Sequence, residues 1–204
     1  TPPAGGTTAF IAPFILSPFS SSQIYAGRAT LLRSTNGGTS WTAGNPVNGN
    51  PILSIASSAS ISGTLYVITQ PTVTGRFFYE TVNSGASWSD RTGSLPNRYP
   101  MDLSVDRVND RIVHLVLSGY GTSHLWKTTN GGITWTSLGA TLPDVPASAV
   151  LVDPLNTSRI FVGNDIGVFA SYDGGVNWGS LNDGLPDAVI VTDLTLVPSH
   201  RRLR

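Results

Sequence analysis

Four near-copies of one eight-residue pattern limit what this chain can fold into: STNGGTSW at residues 34–41, TVNSGASW at 81–88, TTNGGITW at 128–135 and SYDGGVNW at 171–178. Each fits Ser/Thr-x-Asp/Asn-x-Gly-x-x-Trp without a gap, and successive tryptophans lie 47, 47 and 43 residues apart. A period of that size marks an array, a solenoid or a propeller. Asn-Gly-Gly, Asn-Ser-Gly and Asp-Gly-Gly are turn sequences, because glycine accepts positive φ and Asn or Asp bonds its own downstream backbone. A β-prone run precedes each box (ATLLR, RFFYE, HLWK and GVFA), so each box reads as the tight turn of a hairpin. The recurring side chains have structural work to do. Ser34, Asn36, Thr81, Asn83, Thr128, Asn130, Ser171 and Asp173 bond the turn, and Gly38, Gly85, Gly132 and Gly175 set its backbone. Trp41, Trp88, Trp135 and Trp178 each offer an apolar plate to a neighbouring unit.

Alignment on the boxes exposes an earlier strand pair in each unit. SAVLVDP followed by SRIFVG matches AFIAPFILSP with SQIYAG, PILSIASSA with GTLYVIT, and MDLSVDR with RIVHLVL. Each unit therefore runs strand A, turn, strand B, loop, strand C, box, strand D. Four antiparallel strands in about 40–50 residues is the arithmetic of a propeller blade. The blades are expected over 9–45, 50–92, 101–139 and 148–182, with residues 1–8 a linker or mature start. A partial unit follows over 190–204, in which TDLTLVP supplies strand A and the sequence stops where strand B is due. The expected fold is all-β: four complete four-stranded antiparallel blades plus the first strand of a fifth, within a larger ring. The remaining blades would come from a longer precursor or a second chain.

The boxes resemble the Asp-box, or BNR, repeat of the sialidase and xyloglucanase-like β-propellers, which occurs also in sortilin-type receptors and photosystem assembly factors. The resemblance covers nearly the whole chain. It implies a propeller whose boxes lie away from the ligand site, and a relation to secreted carbohydrate-active proteins.

Composition narrows the function classes. Only 12% of residues are charged and the formal net charge is zero, so no electrostatic case exists for nucleic acid or an anionic membrane. No run of 18 apolar residues appears. Cysteine is absent, which removes disulfides and thiolate metal sites. Motifs for metal sites, phosphate loops and Ser-His-Asp elbows are missing, so no metal and no cofactor is expected. Low charge with abundant small hydroxylated residues suits a secreted or extracytoplasmic protein.

Antiparallel geometry puts the A–B turns and the boxes on one face of the ring, and the B–C and D–A loops on the other. The second face carries the segments that vary between units: 70–76, 93–100, 118–124, 140–147 and 182–188. Variable loops at one end of a regular scaffold are where function usually lies. Asp102 and Asp193 occupy equivalent positions at the start of strand A, the innermost strand of a blade. Two carboxylates across a cleft can act as acid and base, or acid and nucleophile, in glycoside hydrolysis. The plainer alternative is that each is a solvated or backbone-bonded strand-start residue. Tyr99, Tyr120 and His124, with Arg98, are the candidate ligand-binding groups for a glycan or polysaccharide. Trp126 and His114 fall in core-packing slots, the latter aligned with Tyr25, Tyr66 and Phe161. Arg28, Arg76 and Arg98 do not converge and Glu80 is the only glutamate, which argues against a sialidase site. A non-catalytic propeller that scaffolds protein partners through its loop face is the second reading.

Overall fold

Short β-prone runs broken by Gly, Asn and Ser clusters favour strands over helices. The computed structural model accordingly contains strands and no helix among the residues it describes, which are 7–186, 189–197 and 202–204. Four separate four-stranded antiparallel sheets follow one another along the chain, each in simple sequence order. Blade one comprises β1 (Phe14–Ser17), β2 (Ser20–Gly27), β3 (Thr30–Ser34) and β4 (Thr42–Pro46). Blade two comprises β5 (Ile52–Ser57), β6 (Leu65–Thr69), β7 (Phe78–Thr81) and β8 (Ser89–Asp90). Blade three comprises β9 (Pro100–Val105), β10 (Val113–Leu117), β11 (Leu125–Thr128) and β12 (Thr136–Ser137). Blade four comprises β13 (Ala147–Val152), β14 (Ile160–Asn164), β15 (Gly167–Ser171) and β16 (Gly179–Ser180). The chain is thus an arc of a propeller. Most of the expected leader, residues 1–6, lies outside the described residues.

The first strands line the inside of the arc, with β1 against β5, β5 against β9, and β9 against β13. The second strands carry the core. Every residue of β6, β10 and β14 is buried, because alternate side chains face the preceding and the following blade. In β6, Leu65 and Val67 join Tyr25, Leu31 and Ile52 between blades one and two, while Tyr66 and Ile68 join Leu103, Leu115 and Trp135 between blades two and three. The apolar cores are therefore the spaces between sheets.

A fifth unit packs on blade four through Leu194, which is buried with Ala149, Phe161 and Ala170. It holds slightly more than its first strand, since β17 (Leu196–Val197) pairs antiparallel with β18 (Arg202–Leu203), the start of strand B. At the other end, Phe14 and Leu16 of β1 are 73% and 60% exposed. Among the described residues, nothing covers the face of blade one that looks away from blade two.

The boxes differ in one respect from the tight turns their sequences suggest. Seven residues separate strand C from strand D in every blade, and strand D shrinks to two residues in blades two, three and four. Side-chain bonds replace the missing ladder. In box one the Ser34 hydroxyl donates to Asn36 Oδ1 (3.0 Å) and accepts from Gly38 N (2.9 Å), while Asn36 Oδ1 accepts from Ser40 N (2.9 Å). The same three bonds recur around Thr81 and Asn83, Thr128 and Asn130, and Ser171 and Asp173. Boxes two, three and four also bond their own A–B turns, as in Gly131 N to Arg111 O at 2.9 Å, and box one bonds Ser22 O near the start of β2, so boxes and A–B turns share a face.

Candidate functional site: the loop face

The box tryptophans fasten blade to blade. Trp88 Nε1 donates to Asn45 O of blade one (3.2 Å), Trp135 Nε1 to Arg91 O just beyond β8 (3.0 Å), and Trp178 Nε1 to Leu138 O just beyond β12 (3.2 Å). Trp41, in blade one, bonds its own Gly38 O (3.0 Å), as Trp178 also bonds its own Gly175 O (3.1 Å). The last glycine of the box permits this approach. A Cβ at Gly132, where φ is +86°, would stand 2.7 Å from Arg91 Cβ. The first hydroxyl and the Asn or Asp of each box are consumed internally: the Asp173 carboxyl, lowered to about 2 by the backbone and side-chain N–H groups of Asn177 and by Ser171, serves the turn.

On the opposite face, Arg98, Tyr99 and Tyr120 come together. Ser118 N bonds Tyr99 O (2.9 Å), and Arg98 Nη2 reaches Tyr120 O (3.5 Å). Gly119 lets the Arg98 stem pass close beneath, since an added Cβ would lie 3.3 Å from Arg98 Cδ. Tyr99 and Tyr120 are 45% and 62% exposed, and Met101, close after Tyr99 in sequence, is 36% exposed. The pair offers aromatic surface flanked by a guanidinium.

His124 sits below that surface. Its ring is buried, with Nδ1 3.2 Å from Leu117 O and Nε2 3.0 Å from Asp144 Oδ1. Asp144 also accepts the Gly121 N–H through both oxygens (2.8 and 3.0 Å). These bonds, the Gly121 N–H first and His124 second, hold its carboxyl below the usual carboxylate range. The His124–Asp144 pair therefore ties loop 118–124 to the segment after β12, and His124 positions the loop that carries Tyr120 from below. Asp144 escaped the sequence reading because nothing local links it to a histidine twenty residues earlier.

Asp102 lies in β9 and is bonded into three inner strands. Oδ1 accepts from Ser54 Oγ of β5 (3.1 Å) and Leu103 N (2.8 Å), and Oδ2 accepts from Val150 N of β13 (3.1 Å). One carboxyl thus links blades two, three and four. Burial raises it to about 6, the three bonds oppose the rise, and the charge of Asp193 adds to it. Asp193 is exposed and, among the described residues, accepts the N–H of its neighbour Leu194 alone (2.8 Å). The two carboxyls act on each other electrostatically, with Asp102 the buried member.

His114 packs in the same register as Tyr25, Tyr66 and Phe161, as the sequence implies: each pairs with the residue immediately before the box. Both of its ring nitrogens are buried without a partner, and burial, with the nearby Lys127 charge, lowers it to about 4 against a smaller opposing pull from Asp106. Two opposed pH dependences follow. Between pH 4 and 6.5 the unfolded chain binds more protons than the folded one at His114, so that group makes stability rise with pH. Between pH 4 and 6 the folded chain binds more at Asp102, so that group makes stability fall. Each shift corresponds to about 3 kcal/mol across its window. Denaturant midpoints of the wild type are expected to vary little from pH 4 to 6. His114→Phe, which copies Phe161, should grow more stable as pH falls over that range; a variant that still loses stability on acidification contradicts the assignment.

No family model matches the chain, and no curated protein matches it. Solved structures do. An ancestral GH74 enzyme is similar over 97% of this chain and 27% of its own, at 20% identity and a TM-score of 0.73. The GH74 xyloglucanase from Xanthomonas campestris is similar over 98% of this chain and 38% of its own, at 18% identity and a TM-score of 0.73. YCF48 from Cyanidioschyzon merolae is similar over 91% of this chain and 59% of its own, at 18% identity and a TM-score of 0.60. The chain spans about a quarter to three fifths of these structures' lengths. Likeness at such identities concerns the fold, and on that point blade count, strand order and neighbours agree: the chain is part of a β-propeller.

Proposed function

We propose that this is an Asp-box propeller segment, related to extracytoplasmic carbohydrate-active proteins, that recognises a polysaccharide at its loop face. The observation that carries the reading is the exposed pair Tyr99 and Tyr120 beside Arg98, with Tyr120 on the loop that His124 and Asp144 hold in place and Tyr99 bonded to that loop through Ser118. Aromatic faces cover the apolar faces of sugar rings, and a guanidinium supplies donors to their hydroxyls. GH74 enzymes and a xyloglucanase among the fold neighbours make a β-glucan the first polymer to try. In affinity electrophoresis against a panel of soluble glycans, one polymer should retard the protein. Tyr99→Ala and Tyr120→Ala should each weaken that binding about tenfold, the equivalent of an aromatic contact of ~1.4 kcal/mol. Equal retardation of both variants removes the loop-face reading. No retardation by any polymer favours a scaffold for protein partners.

Hydrolysis is the second reading, favoured by the raised Asp102 carboxyl. A carboxyl near 6 is suited to protonate a leaving group while a second, solvent-facing carboxylate attacks or activates water. Asp102→Asn and Asp193→Asn should each abolish release of reducing ends, with glycan retardation as the control for folding. Turnover by the double variant eliminates the pair.

The uncovered side of blade one supports a larger ring. Phe14 and Leu16 are exposed there, and among the described residues the Trp41 indole bonds its own box alone where its counterparts also reach a preceding blade. Further blades, supplied by a longer polypeptide or a second chain, would cover that side.

A further inference from the structure

On the box face, between blades one and two, lies a polar cleft of about 360 Å³ lined by Arg33, Thr35, Thr42, Asn45, Asn83 and Ser84, among others. None of its lining residues is acidic. Arg33 Nε is buried without an acceptor, and no ion pair of Arg33 exists among the described residues. A guanidinium partly withdrawn from water and left unpaired is costly, so its retention calls for an explanation.

The next repeat shows what this position is built to hold. Arg33 pairs with Tyr25 in blade one just as Glu80 pairs with Tyr66 in blade two. Glu80 is buried and bonded by Arg91 Nε (2.8 Å), Arg111 Nη1 (3.0 Å) and the Tyr66 hydroxyl (3.2 Å). Arg111 reaches it from the A–B turn of blade three, whose counterpart in blade two is Gly63: the box backbone bonds Arg111 O in one case and Gly63 O in the other. One inter-blade slot thus contains a complete guanidinium–carboxylate cluster. The other contains the guanidinium, a glycine opposite, and open space where the carboxylate belongs.

A second observation marks the same cleft. Ser84, at φ +57°, is the only non-glycine residue with positive φ among the described residues, and the other three boxes place Gly37, Gly131 and Gly174 at its position. Strain of this kind clusters at ligand sites, where a side chain is wanted despite the backbone. The Ser84 hydroxyl lies 3.4 Å from the Tyr25 hydroxyl, at the cleft wall. The wall itself is fixed by Asn45, whose N bonds Gly85 O (3.0 Å) and whose Nδ2 bonds Ala86 O (2.7 Å).

We infer that this cleft binds the carboxylate of a small polar ligand, an acidic monosaccharide or a terminal uronate being the class that fits, with Arg33 as its counter-ion and Ser84, Thr35 and Thr42 as hydroxyl partners. The site is separate from the loop face and stands whether or not that face binds glycan. Glucuronate, glucose and inorganic sulfate are the probes, titrated by calorimetry into the full chain. Glucuronate should bind once per chain, with Kd on the order of millimolar. Glucose should give no heat. Arg33→Gln should weaken glucuronate binding about tenfold or more, the loss expected for a charge-assisted bond. Arg33→Lys should retain part of it, and Tyr120→Ala all of it. Ser84→Gly, which removes the strain, should raise the melting temperature and yet weaken binding several-fold, a pair of effects that a purely structural serine would not produce. Glucuronate binding unchanged in Arg33→Gln overturns the inference, as does sulfate binding without glucuronate binding. If Arg33→Gln fails to fold, Ser84→Gly decides: unchanged affinity in that variant overturns the site.

Discussion

Trp135→Ala is expected to destabilise the protein by about 3–5 kcal/mol, the range for removing a large buried aromatic ring. Of the four box tryptophans only Trp135 is buried, at 8% exposure; Trp41, Trp88 and Trp178 are each partly exposed. Its ring meets Phe78 edge-on, with centroids 4.9 Å apart and planes at 89°, and belongs to the core that joins blades two and three. Truncation would therefore open a cavity between sheets, strand the Arg91 carbonyl and remove an edge-to-face contact. The partly exposed Trp88 and Trp178 should cost less when replaced. Denaturant melts that rank Trp178→Ala as more damaging than Trp135→Ala would show that the inter-blade core is not where stability resides.

Glu80→Ala should cost about 3 kcal/mol, the low end for breaking a buried ion pair. The carboxylate is 3% exposed and holds two arginines from two blades, so its loss leaves both guanidiniums and the Tyr66 hydroxyl unpaired. The value stays at the low end because Arg91 and Arg111 are 30% and 44% exposed and recover some hydration. For a chain of this length the melting temperature should fall by roughly 6–12 °C. Glu80→Gln keeps the shape and one acceptor oxygen and should fall between the two. A melting temperature within a degree of wild type for Glu80→Ala would mean that the cluster is solvated rather than structural.

The repeat made most of the architecture readable. Box spacing, the paired β-runs and antiparallel alternation are local or periodic signals, and from them come the four blades, the innermost first strand and the division of loops between two faces. The slot shared by Tyr25, Tyr66, His114 and Phe161 was legible for the same reason. What the sequence could not show depends on one blade meeting the next. Nothing local announces that Glu80 is met by Arg111 thirty-one residues later, or that Asp102 bonds strands from three blades. His124 illustrates the limit. A polar residue in a variable loop reads as a ligand group, yet the packing of its loop on Asp144 turns it inward. Seven-residue box connections likewise replace the expected tight turns, because side-chain bonds to Asn or Asp take over from the ladder of a shortened strand D.

The proposed placement of polysaccharide recognition on the loop face, apart from the carboxylate cleft between blades one and two, can be measured directly by amide chemical-shift mapping with the glycan that retards the protein. Shifts are expected at Arg98, Tyr99, Met101 and Tyr120, with the box amides of Gly38, Gly85, Gly132 and Gly175 unmoved. Shifts concentrated at those box glycines, with residues 98–101 and 118–121 silent, would contradict the account.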